Sequence, residues 1–161
     1  MDIAPGSPLP SAKFRIMTAS GPSEVSAQDL FKGKKAILFA VPGAFTPTCH
    51  GTHLPGFLRH ATDFKTKGVD LIACTAVNDV FVMDAWAKAS GAEGTVTFLS
   101  DGNGDFAKAI GLELDASGAG LGIRSKRYAM LIEDGVVKAL HIEDKPGKAE
   151  ESSAERILGD L

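Results

Sequence analysis

"VPGAFTPTCHGTHLPGF", residues 41–57, begins on the last residue of "KAILFAV" (35–41). That near-continuous apolar run is the mark of a strand covered on both faces. Beyond the quoted stretch, Leu54, Phe57, Leu58, Ala61 and Phe64 fall at helical spacing from about Thr48 to Lys67, with Gly68 as the stop. The stretch is therefore the junction between a buried strand and a helix. It packs three prolines, three glycines and one of the chain's two cysteines, Cys49, into seventeen residues. A backbone so constrained points to a thiol that needs shaped surroundings.

Outward from this junction the chain alternates strands and helices. "KFRIM" (13–17), "VDLIACTAV" (69–77) and "TVTFLS" (95–100) have strand patterns. "SAQDLFKG" (26–33) is a short helical turn capped by Ser26 and stopped by Gly33. Asn78 is expected to cap a helix through "DVFVMDAWAKAS", with Phe81, Ala85, Trp86 and Ala89 on one face, and "GDFAKAIG" (104–111) forms another helix. "RYAMLIEDGVVKALHIE" (127–143) is a hairpin around Asp134-Gly135. Ser152 and Glu155 have the spacing of a capping box before a last helix. "LELDASGAGLGI" (112–123) has no assigned structure and leads into Arg124 and Arg127. The order predicts an α/β fold with a mixed central sheet flanked by helices, in one domain spanning 1–161.

Composition narrows the function. Hydrophobic residues make up 44% and charged residues 23%, as in an ordinary globular chain. A net charge of −3, from 17 basic and 20 acidic residues, argues against nucleic acid as a partner. No apolar run reaches the roughly 20 residues of a membrane span. The first sixteen residues have neither the basic nor the apolar region of a secretory signal, so the cytoplasm is expected, or an organelle if a presequence preceded them. Two cysteines in 161 residues are not a disulfide framework.

The chemistry centres on Cys49. At a helix start its sulfur lies near unpaired N–H groups and the positive end of the helix dipole, which favours the thiolate. Lowering a thiol pKa from about 8.5 to about 6 takes roughly 3.4 kcal/mol. A helix end supplies about 0.3–1 kcal/mol, so a hydroxyl or a cation must add the remainder. Thr46, three residues earlier, is placed to offer the hydroxyl, and an arginine from elsewhere in the fold would supply the cation.

Pro42, Thr46 and Cys49 together form P-x-x-x-T-x-x-C, and here the chain resembles the peroxiredoxins. "VPGAFTPTC" followed by "HLPGF" is similar to their type II, or five-type, subclass. The likeness continues through "VNDVFVMDAW", "FLSDGNGDFAKAIGL" and "RSKRYAMLIEDGVVKAL". The resemblance implies a thioredoxin-like fold and reduction of hydrogen peroxide and alkyl hydroperoxides through a Cys49 sulfenic acid, with no cofactor or metal. It gives Cys49 the peroxidatic role, Thr46 the hydroxyl that meets the peroxide and Pro42 the shield from water. Arg127, before "YAML", is the matching arginine, with Arg124 as second choice. It also implies a homodimer, recycled by glutaredoxin with glutathione or by thioredoxin. A sensor or relay that passes oxidation from Cys49 to a protein partner is the alternative function.

The remaining candidates are weaker. Cys74 lies 25 residues after Cys49 in an apolar strand, where an inert core thiol is usual, and it is a possible resolving cysteine. The tail "KAEESSAERILGDL" has no cysteine, which departs from relatives with an internal resolving partner there. Cys49, His50, His53 and Cys74 do not have zinc-finger spacing. His53 is expected to hold the active-site loop. Cys49 is expected half buried at its helix start, and Cys74 in a central strand beside it.

Overall fold

Strong alternation in the strand that precedes the cysteine loop organises the molecule. A computed structural model describes residues 2–145 and 147–161. Strand β3 (Lys35–Ala40) directs Ile37, Phe39 and the following Val41 into one core, and Ala36, Leu38 and Ala40 into another. Successive side chains of a strand point to opposite faces, so an all-apolar strand needs cover on both.

Seven strands share the sheet in the order β2-β1-β5-β4-β3-β8-β9. They are β1 (Lys13–Thr18), β2 (Gly21–Ser26), β4 (Leu71–Ala76), β5 (Thr97–Ser100), β8 (Tyr128–Glu133) and β9 (Val136–Ile142) beside β3. β3, β4 and β5 run parallel, and β8 is antiparallel to β3. The sheet is mixed, as expected. Helices α2 (Leu54–Arg59), α3 (Ala61–Thr66), α4 (Val80–Ala89) and α6 (Ala154–Leu158) cover the Phe39 face. Helices α1 (Ala27–Phe31) and α5 (Asp105–Ala109) cover the other. Among the described residues no helix is long and apolar enough to cross a membrane.

Several local expectations hold. Ser26 caps α1 through Asp29 N–H, and Asp134 and Gly135, with φ of 49° and 77°, make the β8–β9 turn. Others are corrected. β2 has no apolar pattern to announce it: "GPSEVS" is polar and carries a proline, which an edge strand tolerates. Segment 112–123 is not structureless: β6 (Glu113–Asp115) pairs with β7 (Ile123–Ser125) in a second small sheet. Asp79, not Asn78, caps α4, by accepting from Val82 N–H. The buried face of α4 is Val80, Met83, Trp86 and Ala87, whereas Phe81 is 64% exposed. Ser153, not Ser152, caps α6. The single long helix expected over 48–67 is broken at His60 between α2 and α3.

Under the cysteine segment, Phe57 lies flat on Phe39, with centroids 4.0 Å apart and planes 2° from parallel. Phe64 also stacks with Phe57, at 5.8 Å. Phe57→Ala should therefore cost about 3–5 kcal/mol of stability, the usual range for deleting a buried aromatic ring. Urea unfolding measures it. A loss below about 1 kcal/mol would show that the stack does not anchor α2 to the sheet.

Candidate active site

The sheet brings distant segments to one edge. β3 and β4 are parallel, so both end there, and β8 begins beside the end of β3, with Ala40 opposite Tyr128. Residues after Ala40, after Ala76 and just before Tyr128 are consequently neighbours. Val41 N–H donates to the Thr75 carbonyl, and Ala44 N–H to Asn78 Oδ1 at 2.9 Å. The side chain of Asn78 thus ties down the loop after β3 instead of capping α4. Within that loop Phe45 has φ of 65°, a left-handed conformation costing a non-glycine residue about 1–2 kcal/mol.

Thr46 Oγ1 donates to the Gly43 carbonyl at 2.6 Å, so its proton is directed at the loop and not at the cysteine sulfur. Its oxygen lone pairs still serve as acceptors. Pro42 is buried, and its carbonyl accepts from Arg124 Nη1 at 3.4 Å. Arg124 also donates from Nε to the Leu121 carbonyl. The two arginines are therefore parted: Arg124 braces the loop, and Arg127 alone of the pair reaches Cys49.

Cys49 opens a π-helical turn, Cys49–His53, whose last bond runs from Leu54 N–H back to the Cys49 carbonyl. Pro55 supplies a local reason. It has no N–H to continue an α ladder, and its ring crowds the carbonyl four residues earlier. A widened turn at this point relieves both. Such turns are frequent at functional sites. Cys49 and His53 face inward, while His50, Gly51 and Thr52 are exposed. Cys49 is not half buried but 0% exposed, because α2 and β3 close over it.

Arg127, only 2% exposed, donates from Nη2 to Cys49 Sγ at 3.0 Å. Its Nη1 lies 2.9 Å from His53 Nδ1. His53 Nε2 lies 2.8 Å from the Ser152 carbonyl. A carbonyl can only accept, so Nε2 carries the proton and Nδ1 accepts from the guanidinium. Burial, then the charge of Arg127, pushes the His53 pKa down to about 3. The ring is neutral and its tautomer is set. Arg127 is in turn held with one arm of its fork on the sulfur.

Cys74 lies in β4, paired with Phe39 and Phe98. It is a free, fully buried thiol, pushed up by burial and further by nearby Cys49. His50 turns the other way. Its Nδ1 accepts from Trp86 Nε1 at 3.0 Å, and the Phe45 ring stacks on it at 5.8 Å. Among the described residues no group of three or more His, Cys, Asp or Glu is placed to hold a metal ion. Sequence reasoning missed the Trp86–His50 bond and the role of Ser152. Each joins residues far apart in the chain, and no local pattern announces either. A buried sulfur held against a guanidinium can act as a nucleophile towards a small molecule that reaches it.

A model of the redoxin family matches residues 4–158. Peroxiredoxin-2E, chloroplastic, of Arabidopsis thaliana is 49% identical over 97% of this chain and 68% of its own length. Peroxiredoxin-2F, mitochondrial, of the same plant is 40% identical over 98% and 79%. The crystal structure of reduced Prx3 of Vibrio vulnificus with hydrogen peroxide superposes with a TM-score of 0.93 at 51% identity, covering 98% of each chain. The chain belongs to the redoxin family, as a peroxiredoxin of type II character with a thioredoxin-like fold.

Two expectations follow from the geometry. Arg127→Lys keeps a positive charge but loses the fork that grips sulfur and His53 together. It should slow peroxide attack about a hundredfold, the scale of one preorganised donor, while Arg124→Ala slows it less than about tenfold. Stopped-flow rates compare them, and the opposite order would reassign the cation.

The second concerns acid. His53 takes a proton near 6.5 when unfolded and only near 3 when folded, so protons favour unfolding between those values. Its neutral ring contributes full stability above about pH 6.5, and that contribution declines as pH falls towards 3. Denaturation midpoints at pH 7 and pH 5 should separate more in the wild type than in His53→Gln. Equal separations would show that His53 is not kept neutral.

Proposed function

We propose that this peroxiredoxin reduces hydrogen peroxide and alkyl hydroperoxides through a sulfenic acid on Cys49, and that glutaredoxin with glutathione, or thioredoxin, returns it to the thiol. Thiol-dependent peroxide reduction is the chemistry of its family. The observation that carries the assignment to Cys49 is the 3.0 Å bond from Arg127 to its buried sulfur.

In the proposed step the thiolate attacks the terminal oxygen of the peroxide. An S–O bond forms while the O–O bond breaks, and the electron pair leaves on the departing oxygen, which takes a proton to become water or an alcohol. Sulfur is oxidised by two electrons. Negative charge migrates from sulfur to the leaving oxygen, so donors aimed along that line are worth more in the transition state than before it. Arg127, which donates to the sulfur, is assigned to follow that charge towards the leaving oxygen. The Thr46 oxygen, its own proton given to Gly43, is assigned to accept from the peroxide O–H. Pro42 is assigned to limit water at the sulfur. An external thiol then attacks Cys49 sulfur, releasing water and leaving a mixed disulfide that a second thiol clears.

A homodimer is proposed on family grounds, and exposed Phe45, Phe81 and Ile123 are the large apolar side chains such a partner would cover. The relatives named above include a chloroplast and a mitochondrial protein, so an organelle suits this chain as well as the cytoplasm.

Resolution by Cys74 is disfavoured. A disulfide needs Cα atoms about 4.4–6.8 Å apart and converging Cβ directions. Cys74 is fixed in β4 between two strands, so the π turn would have to open for Cys49 to meet it. After one equivalent of peroxide, dimedone should label Cys49 persistently, and glutathione with glutaredoxin should discharge the label-reactive state. Fast loss of labelling with a two-hydrogen mass deficit would show an internal disulfide and overturn the external-thiol route.

A further inference from the structure

Behind the π turn lies a loop that the thiol chemistry itself does not use. It joins β9 to α6 and touches the turn on either side of Cys49. Thr48 Oγ1 donates to the Gly147 carbonyl at 2.9 Å, and His53 Nε2 donates to the Ser152 carbonyl. One side chain gathers the end of this loop. Glu143, 8% exposed, accepts at Oε1 from Glu151 N–H, and at Oε2 from both Ser152 N–H and Ser152 Oγ, at 2.7 and 2.6 Å. Its own N–H donates to the Arg127 carbonyl, one step beyond the β8–β9 ladder.

We propose that Glu143 is a positioning residue for the thiol site: by holding the N–H and hydroxyl of Ser152 it places the residue whose carbonyl sets the His53 tautomer, and through His53 the aim of Arg127 at Cys49. The inference rests on the peroxidase reading for its kinetic consequence only.

Polarity runs one way along this chain of bonds. Carboxylate oxygens only accept, so they anchor Glu151 and Ser152 by their N–H groups and Ser152 by its hydroxyl as well, and the Ser152 carbonyl, in the next peptide unit, is placed through that anchored residue. Burial by itself would raise the Glu143 carboxyl, but the bonds from Ser152 and its neighbours outweigh it and hold the group below its usual value. It stays an acceptor at neutral pH. With the Ser152 carbonyl in place, only the Nε2–H form of His53 offers Nδ1 as an acceptor to Arg127. If that carbonyl moves, the ring is free to carry its proton on Nδ1. A donor would then face the Arg127 donor, and the guanidinium would turn from the sulfur. Sequence pattern assigned Ser152 to cap α6. The structure gives the cap to Ser153 and the Ser152 hydroxyl to Glu143.

Glu143→Gln tests this directly. One carboxylate oxygen becomes an NH2 group, which sets a donor against the loop's donors. In nitrogen-15 spectra of the wild type, His53 should be wholly the Nε2–H form. In Glu143→Gln it should become a tautomer mixture, and the second-order rate with hydrogen peroxide should fall about tenfold, as when an outer hydrogen bond orienting a functional histidine is lost. Ser152→Ala removes only the hydroxyl and keeps the carbonyl, so it should shift both readings in the same direction by less. It serves as the test if Glu143→Gln does not fold. His53 still wholly Nε2–H in both variants would overturn the proposal, even if melting temperature and rate fell, since that pattern marks a purely structural role. Wild type inert to peroxide would overturn the peroxidase reading instead. The His53 spectrum needs no turnover and still decides the role of Glu143.

Discussion

A guanidinium that is 2% exposed is tolerable in a protein interior only when its donors find acceptors and its charge a counterpart, since effective desolvation costs several kcal/mol per ion. In this chain the acceptors on one side are a sulfur and an imidazole nitrogen. The requirement runs in both directions. Arg127 needs Cys49 and His53 in position, and Cys49 in turn has the guanidinium as the donor to its sulfur. Much of the surrounding structure can be understood as what keeps these three side chains together and buried.

The sheet supplies the first part of that. Two parallel strands ending at one edge, with an antiparallel strand starting beside them, place residues 41–46, Asn78 and Arg127 within reach of each other. Ligand sites at the carboxyl ends of parallel strands are a general outcome of such topology. The π turn supplies the second part by facing Cys49 and His53 into the core and leaving His50 outside. Its burial also has a functional consequence. Cys49 is fully buried, so a second protein could touch its sulfur only after the turn had opened. The Trp86–His50 bond and the Thr48–Gly147 bond are among the contacts such opening has to break.

Most of the framework was legible in the chain because it rests on short-range patterns. The β3 run, the Asp134-Gly135 hairpin and the Ser26 cap each depend on a few consecutive residues, and each formed where expected. Errors arose where a residue's partner lay elsewhere. Asn78 has the right chemistry for a cap, but Asp79 takes that place and Asn78 bonds the loop after β3. Periodicity put Phe81 on one face with Trp86, but Trp86 is buried with Val80, Met83 and Ala87 while Phe81 is exposed. A one-residue ambiguity is inherent in reading a short helix by period alone.

The site divides in the same way. P-x-x-x-T-x-x-C and its flanks carried the resemblance that named Cys49, Thr46 and Pro42 as candidates, since the three lie within one short segment of the chain. Arg127 could be named from its resemblance to the family, but that it and not Arg124 touches the sulfur is decided by the β3–β8 register, which sets where the chain before Tyr128 arrives. The neutrality of His53 and the grip of Glu143 on Ser152 belong wholly to tertiary structure. They join residues whose sequence separations reach 99. Burial and hydrogen-bond direction, which fix a proton on one ring nitrogen, exist only once those residues have met.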